Sequence, residues 1–367
     1  MKICQITSLH KQDDSRIFWK QCVSLAKAGH DVTLLVMDGE SGVMHGVNVL
    51  GIKGGFNQRV QRIRKAPGIL LHSALQVNAD VYHLHDPELL TIARKLKRKS
   101  GRAVVFDSHE DVPKQIMDKH WIPKLFRPII SFLVKKYEKF VTSRIDGVIS
   151  VTPIICDRFR TYNPNVEMVA NYPDLNEFKR VDAEATKKQN QICYIGGLFP
   201  TRGIRELVLA LEHCDAKLVV AGKFSSDDFE QQISSLPKWN EVDYLGHVDR
   251  DQITKLLSES NVGIVTLHPT RSYMEAFPIK LFEYMSAGIP VVASDFPLWR
   301  TLVIDNGCGI VVDPMDVEAI AAGIQKLLDH PKDTVGMGKL GKQAVEEKYS
   351  WESQAENLIN FYKRIVG

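Results

Sequence analysis

Two doubly wound α/β domains in tandem are the fold class this sequence predicts, and three observations carry it. The chain has 367 residues, which at roughly 100–200 residues per domain makes two cores rather than one. Short apolar runs alternate with amphipathic segments from end to end, the rhythm of parallel sheets covered by helices on both faces. A turn-rich stretch, Asn171-Tyr172-Pro173-Asp174, followed by the polar run from Asp182 to Gln191, interrupts that rhythm near the middle. The expected domains are residues 1–172 and 173–348, with a closing helix over 349–367.

Each element has its own signal. Lys2–Ser8 alternates like a strand, Arg16–Ala28 carries a helical apolar stripe, and Gly29-His30 stops it. Further strands are expected at Val32–Met37, Val81–His85, Val104–Asp107 and Gly147–Val151. In the second half the strand candidates are Ile192–Ile195, Lys217–Ala221, Val242–Leu245, Val262–Thr266 and Val291–Ala293. Helices over Gly203–Glu212 and Asp251–Ser258 fit between them. In such sheets ligands sit beyond the carboxyl ends of the strands.

Composition narrows the class. Apolar content of 44% and charged content of 25% are those of an ordinary globular protein. The net charge of +3 hides an asymmetry: residues 1–170 hold 26 Lys and Arg against 16 Asp and Glu, or +10, and residues 171–367 hold 21 against 28, or −7. The six cysteines are scattered, without metal-ligand spacing, which suits a reducing compartment. No run approaches the ~18 apolar residues of a membrane helix, and none at the start has signal-peptide length. The expectation is a cytoplasmic chain.

The densest chemistry lies in Glu275-Ala-Phe-Pro-Ile-Lys-Leu-Phe-Glu283, continuing through Tyr284 to Gly288 and Pro290. Pro278 suits a helix start, and Gly288 and Pro290 its end. Glu275 then lies in the preceding loop, and Glu283 about one and a half turns in. A helix N-terminus offers free N–H groups to a phosphate, with Lys280 in the first turn. Each carboxylate can accept two hydrogen bonds, enough to grip a vicinal diol. Read on spacing alone, the stretch is equally a solvated amphipathic helix start with two chance acids.

In its wider context this stretch resembles the signature of family 4 retaining glycosyltransferases. Two glutamates with seven residues between them are followed by Tyr284-Met-Ser-Ala-Gly288-Ile-Pro290-Val-Val-Ala293. Cys193-Tyr-Ile-Gly-Gly197-Leu-Phe-Pro-Thr-Arg202-Gly203 is similar to the family's first strand and loop after the linker. Leu218–Gly222 and Tyr244–Val248 resemble the strand ends that bracket the nucleobase, and Tyr349-Ser-Trp351 the start of the helix that crosses back onto the first domain. The resemblance implies the GT-B fold, two Rossmann-like domains facing a cleft. It implies Glu275 on the transferred sugar, Glu283 on the ribose, and Arg202 on the departing diphosphate, where negative charge develops. Gly197, Lys223, Val248, Phe277 and Lys280 complete the expected donor side. Gly197 stands where the family often has an arginine, which Lys280 or Lys223 would replace, and Pro278 replaces a frequent glycine. No cofactor and no metal are implied.

In the first half, Val104-Val-Phe-Asp107-Ser-His109-Glu-Asp111 ends a strand in a polar cluster. His109 resembles the family's histidine near the donor sugar and the acceptor; the plain alternative is a helix cap made by Ser108 or Asp107. His83 and His85 share a face by period two, with Asp86 and Pro87 opening the next helix. Strand-end capping is the preferred role there, over a metal site. The loop from His10 to Phe18 lacks the family's Gly-Gly turn, but His10, Asp14 and Arg16-Ile-Phe18 with the Ser108–Asp111 strand end resemble a polysaccharide-biosynthesis subgroup. Arg16 then reaches a phosphate or pairs with Asp14, and His85 stands on the same acceptor side.

Two patterns are set aside. Gly336-Met-Gly-Lys-Leu-Gly341 has dinucleotide-motif spacing but follows no strand. Asp249-Arg-Asp251 stands before a helix and reads as an N-cap. Basic clusters at Arg59–Lys65, Arg94–Arg102 and Lys114–Lys139, the last interleaved with Trp121, Phe126, Ile130 and Phe132, suit an anionic membrane surface. The plain alternative is a helix packing Ile130, Leu133 and Val134 on the core. Nothing supports nucleic acid. The expected partners are a nucleotide-diphosphate sugar, a UDP-sugar first, and a glycan or polyprenyl-linked acceptor. The expected activity is retaining hexosyl transfer in surface polysaccharide biosynthesis, by front-face attack of the acceptor hydroxyl near His109 and Glu275. A nucleotide-sugar epimerase or a non-catalytic sugar-nucleotide binder on the same fold are the alternatives.

Overall fold

The computed structural model describes residues 1–56, 58–119, 122–178, 181 and 187–367. It divides into two compact units, Met1–Asn171 with Trp351–Gly367, and Tyr172–Ser350. The first unit holds β1 (Lys2–Thr7), β2 (Asp31–Met37), β3 (Gly42–Met44), β4 (Val47–Ile52), β5 (Val81–Leu84), β6 (Ala103–Ser108), β7 (Gly147–Ser150) and β8 (Val166–Met168). They lie in the order β3-β4-β2-β1-β5-β6-β7-β8, parallel throughout except that β3 runs against β4. The order reverses between β1 and β5, which opens a crevice at their carboxyl ends.

The middle strands are buried on both faces, so they read as apolar runs rather than as alternation. One face packs on Leu70, Ala74, Leu96 and Phe159. The other packs on Ile17, Phe18, Leu358 and Phe361, the last two from the closing helix Trp351–Val366.

The expected helix at 16–28 begins differently. Asp14 caps it by accepting from the backbone N–H groups of Arg16 and Ile17, and Ser15–Cys22 is π-helical before Val23–Lys27 turns α. The wider i→i+5 winding brings residues five apart toward one face. Arg16 and Gln21 are such a pair, and both bond Asp107.

The second unit holds β9 (Gln191–Ile195), β10 (Lys217–Ala221), β11 (Asp243–Gly246), β12 (Val262–Val265), β13 (Val291–Ser294) and β14 (Gly309–Val312). All are parallel, in the order β11-β10-β9-β12-β13-β14, so the crevice opens between β9 and β12. The expected helices appear as Ile204–Ala210 and Arg250–Glu259, the latter with Asp249 and Gln252 in a capping box. Pro278 is itself the N-cap, so the helix of the two-glutamate stretch starts one residue later than expected, at Ile279, and runs to Ser286.

The Gly336–Gly341 pattern lies inside the helix Pro331–Lys348. Its glycines serve packing: a Cβ on Gly338 would overlap the Gly288 carbonyl, whereas one on Gly336 would meet open space. Among the described residues no helix is long and apolar enough to cross a membrane.

Urea unfolding separates the two glycines. Gly338→Ala is expected to lose about 1–3 kcal/mol through overpacking. Gly336→Ala is expected to gain about 0.4–1 kcal/mol by restricting the unfolded chain.

Candidate functional site

At the crevice of the first unit, a fully buried carboxylate, Asp107 on β6, collects the neighbouring side chains. Arg16 Nη2 lies 3.0 Å from both its oxygens, and Gln21 Nε2 donates to Oδ2 at 2.7 Å. The nearest nitrogens of His109, His85 and His83 stand 3.4, 3.6 and 3.8 Å from the same oxygen. Burial alone would raise this carboxyl; Arg16, then His109, outweighs it and holds the group well below the usual range. Arg16 thus pairs with neither Asp14 nor an exposed phosphate position: its side chain is 5% exposed and committed to Asp107. The reason is the π-helical winding, which turns it into the sheet.

Behind this carboxylate, His83 and His85 stack at 4.5 Å, as their shared face requires. They are buried among Gln5 and Tyr362 rather than capping a strand end. Burial lowers both imidazoles and keeps them neutral. His109 is different: 20% of its side chain is exposed, and its ring faces His10 at 5.3 Å between centroids. The cap of the next helix, Val112–Asp118, is Asp111 rather than Ser108 or Asp107. Asp86 makes no cap of its own helix. It accepts from Thr7 Oγ1 at 2.8 Å and from the Ser8 N–H at 2.6 Å, with His10 Nδ1 at 3.1 Å. Gln5, His10, Gln21, Asp86 and Tyr362 were not singled out as site residues by the sequence. A polar residue inside an otherwise apolar strand was the available signal for Gln5, and for His10 its place in the loop after β1; nothing marked Tyr362.

His83, His85 and Asp107 offer ligand atoms within 4.8 Å of one another, close enough for a metal. However, Asp107 Oδ2 already accepts from Arg16 and Gln21, and a dication beside that guanidinium would be repelled.

In the second unit, β9 runs into Gly196 and Gly197, then a 3₁₀ turn ending at Arg202. Gly203 follows with φ +70°, where a Cβ would overlap the Thr266 carbonyl at the end of β12. Only glycine lets the loop close there. Arg202 Nη1 and Lys280 Cε lie 3.1 and 3.6 Å from the position of a Cβ on Gly196, so two cations converge on a bare stretch of backbone. The hydroxyls of Tyr194 and Tyr273 bond the Arg202 guanidinium, while its Nε has no partner among the described residues. Tyr194 also donates to the Gly197 carbonyl at 3.1 Å, and burial pushes its phenol up to about 12 against the pull of Arg202.

Lys280 pairs with Glu283 at 2.6 Å, one turn along the same helix face. The two residues expected on phosphate and ribose therefore hold each other. Glu275 is half-buried and ends the short helix Arg271–Met274 instead of lying in open loop. Phe277 packs against Tyr172 at a tilt and Phe282 edge-on in an aromatic cluster, so part of its ring serves packing. Lys223 is exposed just beyond β10, and Val248 is half-buried in the turn after β11. Tyr194 was missed because a buried tyrosine near a strand end looks like core, and Tyr273 because nothing marks one half-buried ring in the short helix Arg271–Met274.

Two Rossmann-like domains, each gathering polar residues where its strand order reverses, place the chain in the GT-B class of folds. The model described as Glycosyl transferases group 1 matches residues 176–360, and that of Glycosyltransferase Family 4 matches residues 16–177. The chain belongs to the glycosyl transferases of group 1. It is 28% identical to an uncharacterised glycosyltransferase of Methanocaldococcus jannaschii, over 57% of this chain and 56% of that protein. It is 21% identical to the phosphatidyl-myo-inositol mannosyltransferase of Mycolicibacterium smegmatis, over 94% and 88%. With the first curated relatives, the match spans only about half of their length. Sucrose-phosphate synthase of Thermosynechococcus elongatus shares the fold at TM-score 0.79 and 18% identity, covering 100% of this chain and 99% of that one. Anabaena HepE in complex with UDP does so at 0.75 and 15%, covering 99% and 100%.

The Asp86 carboxyl titrates at about 2 in place of 3.8: hydrogen bonds from His10, Ser8 and Thr7 outweigh its burial. A depressed carboxyl stabilises the fold above its unfolded value and loses that contribution as pH falls through the folded one. Wild type is therefore expected to exceed Asp86→Asn by about 2 kcal/mol between about pH 5 and the raised titration of His10, whose charge supplies part of the pull. That gap should close between about pH 4 and 2, read from urea midpoints.

Proposed function

We propose that the protein is a retaining glycosyltransferase that moves a sugar from a nucleotide-diphosphate sugar to a hydroxyl of a glycan or polyprenyl-linked acceptor. The observation that carries this reading is the convergence of Arg202 and Lys280 on the bare Gly196 backbone, with Glu275 and Glu283 flanking the same helix start. Cations beside the orphan N–H groups of a helix start suit a diphosphate, and carboxylates suit sugar hydroxyls. Donor binding would release Lys280 from Glu283, giving one group to phosphate and the other to ribose. Arg202, its Nε without a partner among the described residues, would stabilise charge on the departing diphosphate. A UDP-sugar stands first among donors, since a structural neighbour holds UDP. The mannosyltransferase relative, whose name includes a phosphatidylinositol, favours a lipid-linked acceptor.

Arg202→Ala and Glu275→Ala are each expected to lower donor turnover about 10²–10³-fold, with unchanged thermal unfolding. Near-wild-type release of UDP from UDP-glucose by either variant would overturn the site. A thermal-shift series of UDP-, GDP-, ADP- and dTDP-sugars identifies the base, because the bound donor raises the unfolding temperature.

The acceptor side is proposed to meet an anionic membrane from the cytoplasmic face. Leu125, Phe132 and Leu133 are 86%, 58% and 59% exposed, beside Lys124, Lys135 and Lys136. Leu133 does not pack on the core: in the helix Arg127–Thr142 only Glu138, Val141 and Thr142 are buried. His120 and Trp121 of the same basic stretch, and the Arg59 side chain of the first cluster, lie outside the described residues. An apolar face rimmed by lysine inserts into a bilayer while the charges meet anionic headgroups. Phe132→Ser with Leu133→Ser is expected to reduce sedimentation with phosphatidylglycerol vesicles at least tenfold and to leave UDP-glucose binding unchanged. Undiminished sedimentation would remove this surface from the account.

A further inference from the structure

The hydrogen bonds behind His109 have a direction, and Asp107 sets it. His83 Nε2 lies 3.8 Å from Asp107 Oδ2 and has no hydrogen-bond partner among the described residues. A lone pair facing a carboxylate is repelled, and an N–H is attracted. His83 therefore carries its proton on Nε2, and burial keeps it from taking a second. Its Nδ1 must accept, and the Tyr362 hydroxyl 2.5 Å away donates to it. That hydroxyl in turn accepts from Gln5 Nε2 at 3.0 Å. The Gln5 carbonyl is thereby turned to His85 Nε2, 2.6 Å away. A carbonyl only accepts, so His85 is protonated on Nε2 and presents a lone pair on Nδ1, 3.6 Å from Asp107 Oδ2; the Gln5 hydrogen bond at 2.6 Å outweighs that longer repulsion. That lone pair faces His109 Nε2 at 3.3 Å, and Asp107 Oδ2 faces the same nitrogen at 3.4 Å.

We infer that Gln5, His85 and Tyr362 are positioning residues that hold His109 as its Nε2–H tautomer, leaving Nδ1 as an acceptor for a ligand hydroxyl. Two acceptors meet one nitrogen of this ring, and of the three histidines around Asp107 His109 alone reaches solvent. The consequence for a sugar rests on the glycosyl-transfer reading: a sugar hydroxyl in this crevice donates to His109 and cannot accept from it. A proton arriving on Nδ1 makes an imidazolium that Asp107 stabilises at 3.4 Å. His10, the other titratable ring facing His109, is tied to Asp86 and Thr7 and does not join the chain. The same assignment argues against a metal, because the His83 nitrogen nearest Asp107 carries hydrogen rather than a lone pair.

Long-range proton–nitrogen correlation spectra of the full chain, labelled with nitrogen-15 histidine and assigned with single-histidine variants, read the tautomers directly. His83 and His85 are expected to be neutral, and all three rings to carry a proton on Nε2. Gln5→Glu sets a carboxylate against His85, which draws a second proton onto Nδ1 and turns that atom into a donor. His109 is then expected to switch to its Nδ1–H form, and UDP release from UDP-glucose to fall about tenfold or more with KM within about twofold. His85→Asn, whose amide oxygen can replace the Nδ1 acceptor, keeps the wild-type His109 signature. An Nδ1–H signature for His109 in the wild type overturns the inference. So does an unchanged His109 in Gln5→Glu, or stoichiometric metal with metal-shifted His83 and His85 signals. If the wild type releases no UDP from UDP-glucose, that donor reading fails, while the spectra still decide the tautomer.

Discussion

A carboxylate with no exposure to water must be compensated or it will not stay ionised, and Asp107 is such a group. The idealised cost of burying an isolated charge is far larger than the stability of a domain. The first unit is built to meet that demand. A π-helical turn delivers Arg16 and Gln21 to the carboxylate from one face of one helix. Strand β5 delivers His83 and His85, and β6 delivers His109 two residues after Asp107 itself. The closing helix Trp351–Val366 supplies Tyr362, which reaches Gln5 across 357 positions of sequence. The return of the chain's end to the first unit is therefore part of the polar network as well as of the apolar core, where Leu358 and Phe361 pack.

The second unit solves a different problem with backbone. Its strand ends carry glycines where side chains would collide: Gly203 against Thr266, and Gly222 against the Gly196 carbonyl. The result is a stretch of main chain that cations approach from two elements, Arg202 from the loop and Lys280 from the helix. One unit thus places fixed charge inside the protein, and the other leaves polar backbone open at its edge. Both arrangements sit where strand order reverses, since only there do the connections diverge and leave the strand ends uncovered.

The sequence announced most of this framework. Central strands, buried on both faces, stand out as apolar runs, and β9, β10 and β12 fall within a residue of expectation. The edge and short strands β3, β4, β8 and β14 did not, because half-exposed strands interrupted by Asn48, Gly51 or Glu167 carry no continuous signal. The two-glutamate stretch was legible from motif and helix punctuation. The pairing of Lys280 with Glu283 was also readable, since residues three apart share a helix face. The destination of Arg16 was not: an α-helical reading of 16–28 puts Arg16 and Gln21 on different faces, and only π winding brings both to Asp107. Tyr362 carried no signal at all, being one aromatic in an amphipathic helix whose partner lies at the opposite end of the chain.

The charge asymmetry takes on a different meaning against these contacts. A surplus of +10 over residues 1–170 suggests a cationic ligand site, yet the cation nearest the first unit's crevice, Arg16, is neutralised by Asp107. The surplus lies elsewhere, on the helices Leu90–Ser100 and Arg127–Thr142. There Arg94, and Arg144 just past the second helix, lie over the Phe140 ring at 4.6 and 4.3 Å, and Lys135 and Lys136 are exposed beside Phe132. Charge that stays unpaired at a surface acts through long-range attraction, screened over roughly 8–10 Å at ordinary salt. Charge paired inside the sheet acts through geometry and hardly feels salt. The basic balance of the first half is thus a property of its outer helices, concerning what the domain docks against. The chemistry of its crevice is set by one acid and the nitrogens arranged around it.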